Sequence, residues 1–70
     1  MIRATFYCDI ISPTGEILEQ DFDFDTFTCD TREELDRYIK NEGYVEGESV
    51  GTWGGDEGIL TEIVVEDMEV

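Results

Sequence analysis

The sequence has no histidine, one proline, one tryptophan and a single lysine, Lys40, and its four Lys and Arg stand against 19 Asp and Glu. Without histidine it lacks the commonest general base, any Ser–His or Cys–His nucleophile pair and most zinc sites, so no enzyme activity, catalytic residue, metal or cofactor is expected. The shortage of cations excludes a protein that tracks a nucleic-acid backbone. No stretch approaches the roughly 20 apolar residues of a membrane span. The opening MIRATFYCDIIS also lacks the apolar run of a signal peptide, so the chain is expected to stay in the cytoplasm. Two cysteines are too few for a disulfide scaffold, and in a reducing compartment Cys8 and Cys29 are expected to be thiols.

What remains is a chain of 70 residues, enough for one domain spanning 1–70 and too short for two. Hydrophobic residues make up 40 % of it and include four Phe and three Tyr, so a core can form. That core is expected to be thin, because so short a chain buries only about 60 % of its unfolded surface. Against this stands a formal net charge of −15.

Residues 2–11 and 17–28 both alternate, and Ser12-Pro13-Thr14-Gly15 between them suits a three-residue hairpin loop, with Pro13 opening a type I turn and Gly15 in the left-handed conformation. Counting outward from that loop pairs Ile10 with Leu18, Cys8 with Gln20, Phe6 with Phe22 and Ala4 with Phe24 on one face. Phe6, Phe22 and Phe24 are then expected to be buried. The other face would carry Asp9 opposite Glu19, Tyr7 opposite Asp21, Thr5 opposite Asp23 and Arg3 opposite Asp25, a surface that is almost wholly acidic with its aspartates exposed.

Thr31-Arg32-Glu33-Glu34 has the form of a capping box, in which the Thr31 hydroxyl accepts from the Glu34 N–H and the Glu34 carboxylate reaches back to the Thr31 N–H. The helix that follows places Leu35, Tyr38 and Ile39 on one stripe, offers Glu33 with Arg37 and Asp36 with Lys40 as i, i+4 pairs, and ends at Gly43. Beyond it, Val50 to Trp53 reads as a short strand, Gly54-Gly55-Asp56 as a turn, and residues 59–66, apolar at both parities, as a more central strand. Asp67 to Val70 are expected to fray. The predicted class is α+β, a single small domain in the order β-β-α-β-β, with one helix packed on one face of an antiparallel sheet.

Glu19, Asp21, Asp23 and Asp25 alternate along the second strand, about 6.6 to 6.8 Å apart if they share a face. Successive phosphates on a DNA strand are separated by a similar distance, on the order of 6 to 7 Å. Asp9 would add a second column, and the helix adds Glu33, Glu34 and Asp36. For one acidic strand, a solvated outer face that keeps a small protein soluble is the simpler account. The excess continues through Glu46, Glu48, Asp56, Glu57, Glu62, Glu66, Asp67 and Glu69, and self-repulsion at −15 destabilises a thin-cored domain, so a function that requires the charge is the expectation.

Three uses of the charge compete. Asp21, Asp23 and Asp25 have D-x-D-x-D spacing, but a calcium loop starting at Asp21 needs Gly and Glu where Thr26 and Arg32 stand. Asp9 and Glu19 would lie close enough to act as a catalytic carboxylate pair, yet nothing in the sequence suggests a pocket. The third use is electrostatic imitation of nucleic acid, in which the protein fills a basic channel on a DNA-binding machine and excludes its substrate. Asp9, Glu19, Asp21, Asp23, Asp25, Glu33 and Asp36 would meet the basic partner, with Tyr7 and Trp53 as aromatic anchors. Trp53 also suits plain cover for the edge of a small core.

In size, charge, lack of histidine and the acidic strand 19–25, the chain resembles the small acidic anti-CRISPR and antirestriction proteins of phages and mobile elements. The resemblance implies binding to a CRISPR effector complex, foremost a type I surveillance complex at its DNA-recognition subunit, or to a restriction-modification enzyme, so that target DNA cannot enter. It implies a basic protein partner, no direct contact with nucleic acid and none with membrane. Two rival readings are an acidic interaction or housekeeping domain of a halophile, with which the single lysine agrees, and a small regulatory subunit that docks on a basic partner without imitating DNA.

Overall fold

The computed structural model describes residues 1–68 and has the expected α+β order: strand β1 (Ile2–Ile11), strand β2 (Ile17–Cys29), helix α1 (Arg32–Glu42), strand β3 (Ser49–Trp53) and strand β4 (Asp56–Asp67). The strands form one antiparallel sheet in the order β2-β1-β4-β3. β4 is thus an inner strand, as its apolar residues at both parities require. Asp67 is still part of β4, and the Met68 N–H donates to the Met1 carbonyl at 2.7 Å, which corrects the fraying expected there. Glu69 and Val70 lie outside the described residues.

The β1–β2 turn forms as expected, with the Ser12 N–H on the Glu16 carbonyl at 2.8 Å and Gly15 at φ 90°. Beyond the turn the expected register fails. Ile11 pairs with Ile17 and Ile10 with Glu19, then Cys8 with Phe22, Tyr7 with Asp23, Phe6 with Asp25 and Ala4 with Phe27. β2 carries extra residues at three bulges, around Leu18, at Gln20–Asp21 and at Phe24. Asp21 lies in the left-handed region at φ 54°, and its N–H donates to the Asp9 carboxylate at 3.2 Å.

The reason lies in the apolar pattern. β1 keeps strict phase, with Ala4, Phe6, Cys8 and Ile10 buried, whereas the apolar positions of β2 run 22, 24 and then 27, 29. Strict alternation would send Phe27 and Cys29 to the face opposite Phe22 and Phe24. The bulge at Phe24 restores the phase, so that Phe22, Phe24, Phe27 and Cys29 all lie on the Phe6 side. β4 does the same at Thr61, where Leu60 opposes Cys8 and Ile63 opposes Phe6.

On this Phe6 face, Ala4, Phe6, Cys29 and Leu60 cluster with Leu35 of α1, and Tyr38, Ile39 and Tyr44 pack around them. Cys8 and Cys29 are free thiols and buried, and burial pushes the Cys8 thiol up from its ordinary value, with Asp9 and Glu19 adding to the effect. Phe22 and Phe24 are half-buried rather than buried, because β2 is an edge strand and their cover comes from Trp53 and Tyr44 packed edge-on.

Helix α1 starts at Thr31, whose hydroxyl accepts from the Glu34 N–H at 3.3 Å. The Glu34 carboxylate returns to the Thr31 hydroxyl rather than to its N–H. Gly43 at φ 73° closes the helix in a Schellman motif, with the Tyr44 N–H on the Ile39 carbonyl and the Gly43 N–H on that of Lys40. The ion pair on the helix is Arg32–Asp36 at 3.2 Å, in place of the expected Glu33–Arg37 and Asp36–Lys40 pairs. Gly54 and Gly55, both at positive φ, turn β3 into β4, and Trp53 then lies over Gly58, where any Cβ would collide with the indole ring. No helix among the described residues is long and apolar enough to cross a membrane.

Candidate interaction surface

The bulges redistribute the acidic strand. Residues directly paired across strands share a face, so Asp23 lies with Tyr7 while Glu19, opposite Ile10, and Asp25, opposite Phe6, lie on the other side. Asp21 stands at a bulge. The single-faced ladder of Glu19, Asp21, Asp23 and Asp25 expected from alternation is therefore absent, and its spacing cannot supply the imitation of phosphates. Asp9 pairs with Ile59 on the Tyr7 face, so it shares no face with Glu19 and the two cannot work as a catalytic pair.

Asp25 departs furthest from expectation. Half-buried rather than exposed, its Oδ2 accepts hydrogen bonds from the hydroxyls of both Tyr38 and Tyr44, the latter at 2.9 Å, and its Oδ1 accepts from the Thr26 N–H at 2.9 Å. It ties β2 to α1 and to the segment after α1. Burial, followed by the hydrogen bond to the Asp25 carboxylate, pushes the Tyr38 hydroxyl up to about 12 and raises that of Tyr44 for the same reasons. Asp25→Ala strands two phenolic donors and is expected to lower stability by about 1 to 3 kcal/mol. Asp23→Ala, at an exposed position, should stay within about 0.5 kcal/mol in the same urea titrations.

The tyrosines also set an alkaline limit. Because their folded-state pKa values lie above the ordinary 10, the stabilisation they confer is complete below pH 10. It is lost as pH rises from 10 through about 12, where the unfolded chain ionises first. Urea midpoints should fall across that window, and the double variant Tyr38→Phe, Tyr44→Phe should flatten the fall.

The other site residues separate as well. Tyr7 sits between Asp23 of β2 and Glu62 of β4. Trp53 is 37 % exposed on the opposite face, against Phe22 and Phe24, so one flat partner surface cannot reach both aromatic rings. Glu33 and Asp36 are exposed on α1, and Asp36 is held by Arg32. Ile59, Glu62 and Val64, which the register places beside Asp9, Tyr7 and Thr5 respectively, were missed because β4 was not paired with β1 from sequence. The break in the apolar pattern of β4, Leu60 and then Ile63 and Val65, is the signal that would have paired them.

Among the described residues no three His, Cys, Asp or Glu are placed to share a metal ion. A cavity of about 380 Å³ between the two hairpin turns is lined by Ile11, Pro13, Gly15, Thr52 and a single carboxylate, Glu57. No described charged side chain is fully buried, and β1, β2, α1 and β4 all carry carboxylates. Two of the four cations are already engaged, Arg3 with Glu66 at 3.3 Å and Arg32 with Asp36. Set against protein-family models, curated proteins and solved structures, the chain matches none.

Proposed function

We propose that this protein is an acidic inhibitor that imitates DNA electrostatically, binds a DNA-binding bacterial defence complex in the host cytoplasm and blocks entry of target DNA. A type I CRISPR surveillance complex is the first target to test and a restriction-modification enzyme the second. The observation that carries the reading is a net charge of −15 on a folded domain none of whose described carboxylates is fully buried and whose few cations are partly engaged already. Such a field steers association with a basic channel and repels nucleic acid itself. The body is elongated, 44 × 22 × 18 Å, and so spans more than one turn of B-DNA, about 34 Å. In this reading the imitation is of overall charge density rather than of phosphate spacing, and the helix packs on the Phe6 face alone.

The test is competition. The purified protein is added to a type I surveillance complex with fluorescent target DNA at two salt concentrations. Displacement of DNA that weakens as the Debye length falls from about 10 Å at 0.1 M to about 3 Å at 1 M salt is the expected result. Binding to a complex already loaded with DNA, without displacement, overturns mimicry. Loss of the circular dichroism signal at 0.1 M salt would instead favour a domain built for molar salt.

A further inference from the structure

We propose that the Tyr7 face of the sheet is the docking surface, and that its occupant is a basic amphipathic helix of a protein partner. This deepens the inhibitor reading by naming the surface, and it rests on that reading's claim of a basic protein partner. Three observations carry it. First, no residue of this face belongs to the core cluster: Leu35, Tyr38 and Ile39 of α1 all pack with residues of the Phe6 face. A sheet face that carries apolar side chains is ordinarily covered by another element. Second, the register lays half-buried apolar groups obliquely across the inner strands, with Val64 beside Thr5, then Tyr7, then Ile59 beside Asp9. Diagonal neighbours on adjacent strands are within reach of one continuous ridge.

Third, carboxylates flank that ridge. Tyr7 lies directly between Asp23 and Glu62, and Asp9 follows on the same face. The cation among these pairings, Arg3, is engaged with Glu66, so neither Asp23 nor Glu62 has an ion-pair partner. An apolar centre with an unpaired acidic border is complementary to an apolar stripe bordered by Lys and Arg. A second copy of the chain would bring another −15 to the same border, and nucleic acid or an anionic membrane would be repelled by it. A basic helix satisfies both the ridge and the border.

The probe is a synthetic Leu/Lys amphipathic peptide of about 18 residues, five helical turns, titrated into ¹⁵N-labelled protein. Amide shifts concentrated at Thr5, Tyr7, Asp9, Ile59, Glu62 and Val64 are expected. Shifts concentrated on α1 or around Trp53 overturn the assignment. The double variant Asp23→Lys, Glu62→Lys should weaken peptide binding at least roughly tenfold, and the control Glu42→Lys, Glu46→Lys, with the same change in net charge, by no more than about threefold. Equal losses in the two variants mean that bulk charge alone drives binding and overturn the docking face.

The DNA-displacement assay separates this inference from the reading it rests on. Displacement by the parent protein that disappears in Asp23→Lys, Glu62→Lys supports the docking face, and displacement unchanged in that variant overturns it while leaving the inhibitor reading intact. If the peptide maps to the Tyr7 face but no form displaces DNA, the docking face stands and the inhibitor reading falls.

Discussion

Phe6→Ala is expected to destabilise the protein by about 3 to 5 kcal/mol. Phe6 is fully buried in the middle of an inner strand, and its ring contacts those of Phe24, Tyr38 and Tyr44, with centroids 5.0 to 6.3 Å apart. It therefore joins the edge strand, the helix and the segment after the helix through a single side chain. Typical stability of roughly 0.05 to 0.15 kcal/mol per residue amounts to roughly 4 to 10 kcal/mol for a chain of this length, so one truncation removes a large share. Val65→Ala, at a position 38 % exposed, serves as the control and should cost far less in the same thermal and urea titrations. A Phe6→Ala protein with the parent's urea midpoint would mean that the aromatic cluster contributes little to folding.

The parts of the fold governed by local chemistry were legible in the sequence. Pro13 and Gly15 set the first turn, Thr31 and Gly43 bound the helix, and the apolar residues at both parities of 59–66 placed that strand inside the sheet. The pairing of β2 with β1 was not, because counting outward from a turn assumes an unbroken ladder. Each bulge adds one residue to β2, so an error that begins near Leu18 has grown by Phe27 into a displacement that moves side chains between faces. Phe27 and Cys29, out of phase with Phe22 and Phe24, already announced a break.

The candidate site inherited that error. Asp25 has the same spacing from Asp23 as Asp23 has from Asp21, and nothing local distinguishes it from its exposed neighbours. Only the bulge at Phe24 turns it toward Tyr38 and Tyr44. A test of the acidic surface that neutralises Asp21, Asp23 and Asp25 together would therefore confound charge with folding, which is why the docking-face variant Asp23→Lys, Glu62→Lys leaves Asp25 intact. The charge itself needed no register to be read. Its consequence, a strongly negative field around the domain, holds wherever the individual carboxylates point.

Leu35→Ala is expected to cost about 2 to 5 kcal/mol and to act first on the helix. Leu35 is the fully buried residue of α1, clustered with Ala4, Phe6, Cys29 and Leu60, while Tyr38 and Ile39 on the same stripe are only half-buried. The capping box and the Schellman motif fix where the helix begins and ends. They cannot hold it alone, because a helix of 11 residues is marginal in water without tertiary packing. With Leu35 truncated, the ties left include the Tyr38 ring against Phe27 and Phe6, the packing of Ile39 on the core and the hydrogen bond from Tyr38 to Asp25. Hydrogen exchange should then show the α1 amides losing protection before those of β1 and β4, whose ladder does not include the helix. Combined with Asp25→Ala, the loss should depart from the sum of the two single losses if both ties hold the same element, and a strictly additive pair would show that they act on separate parts of the fold.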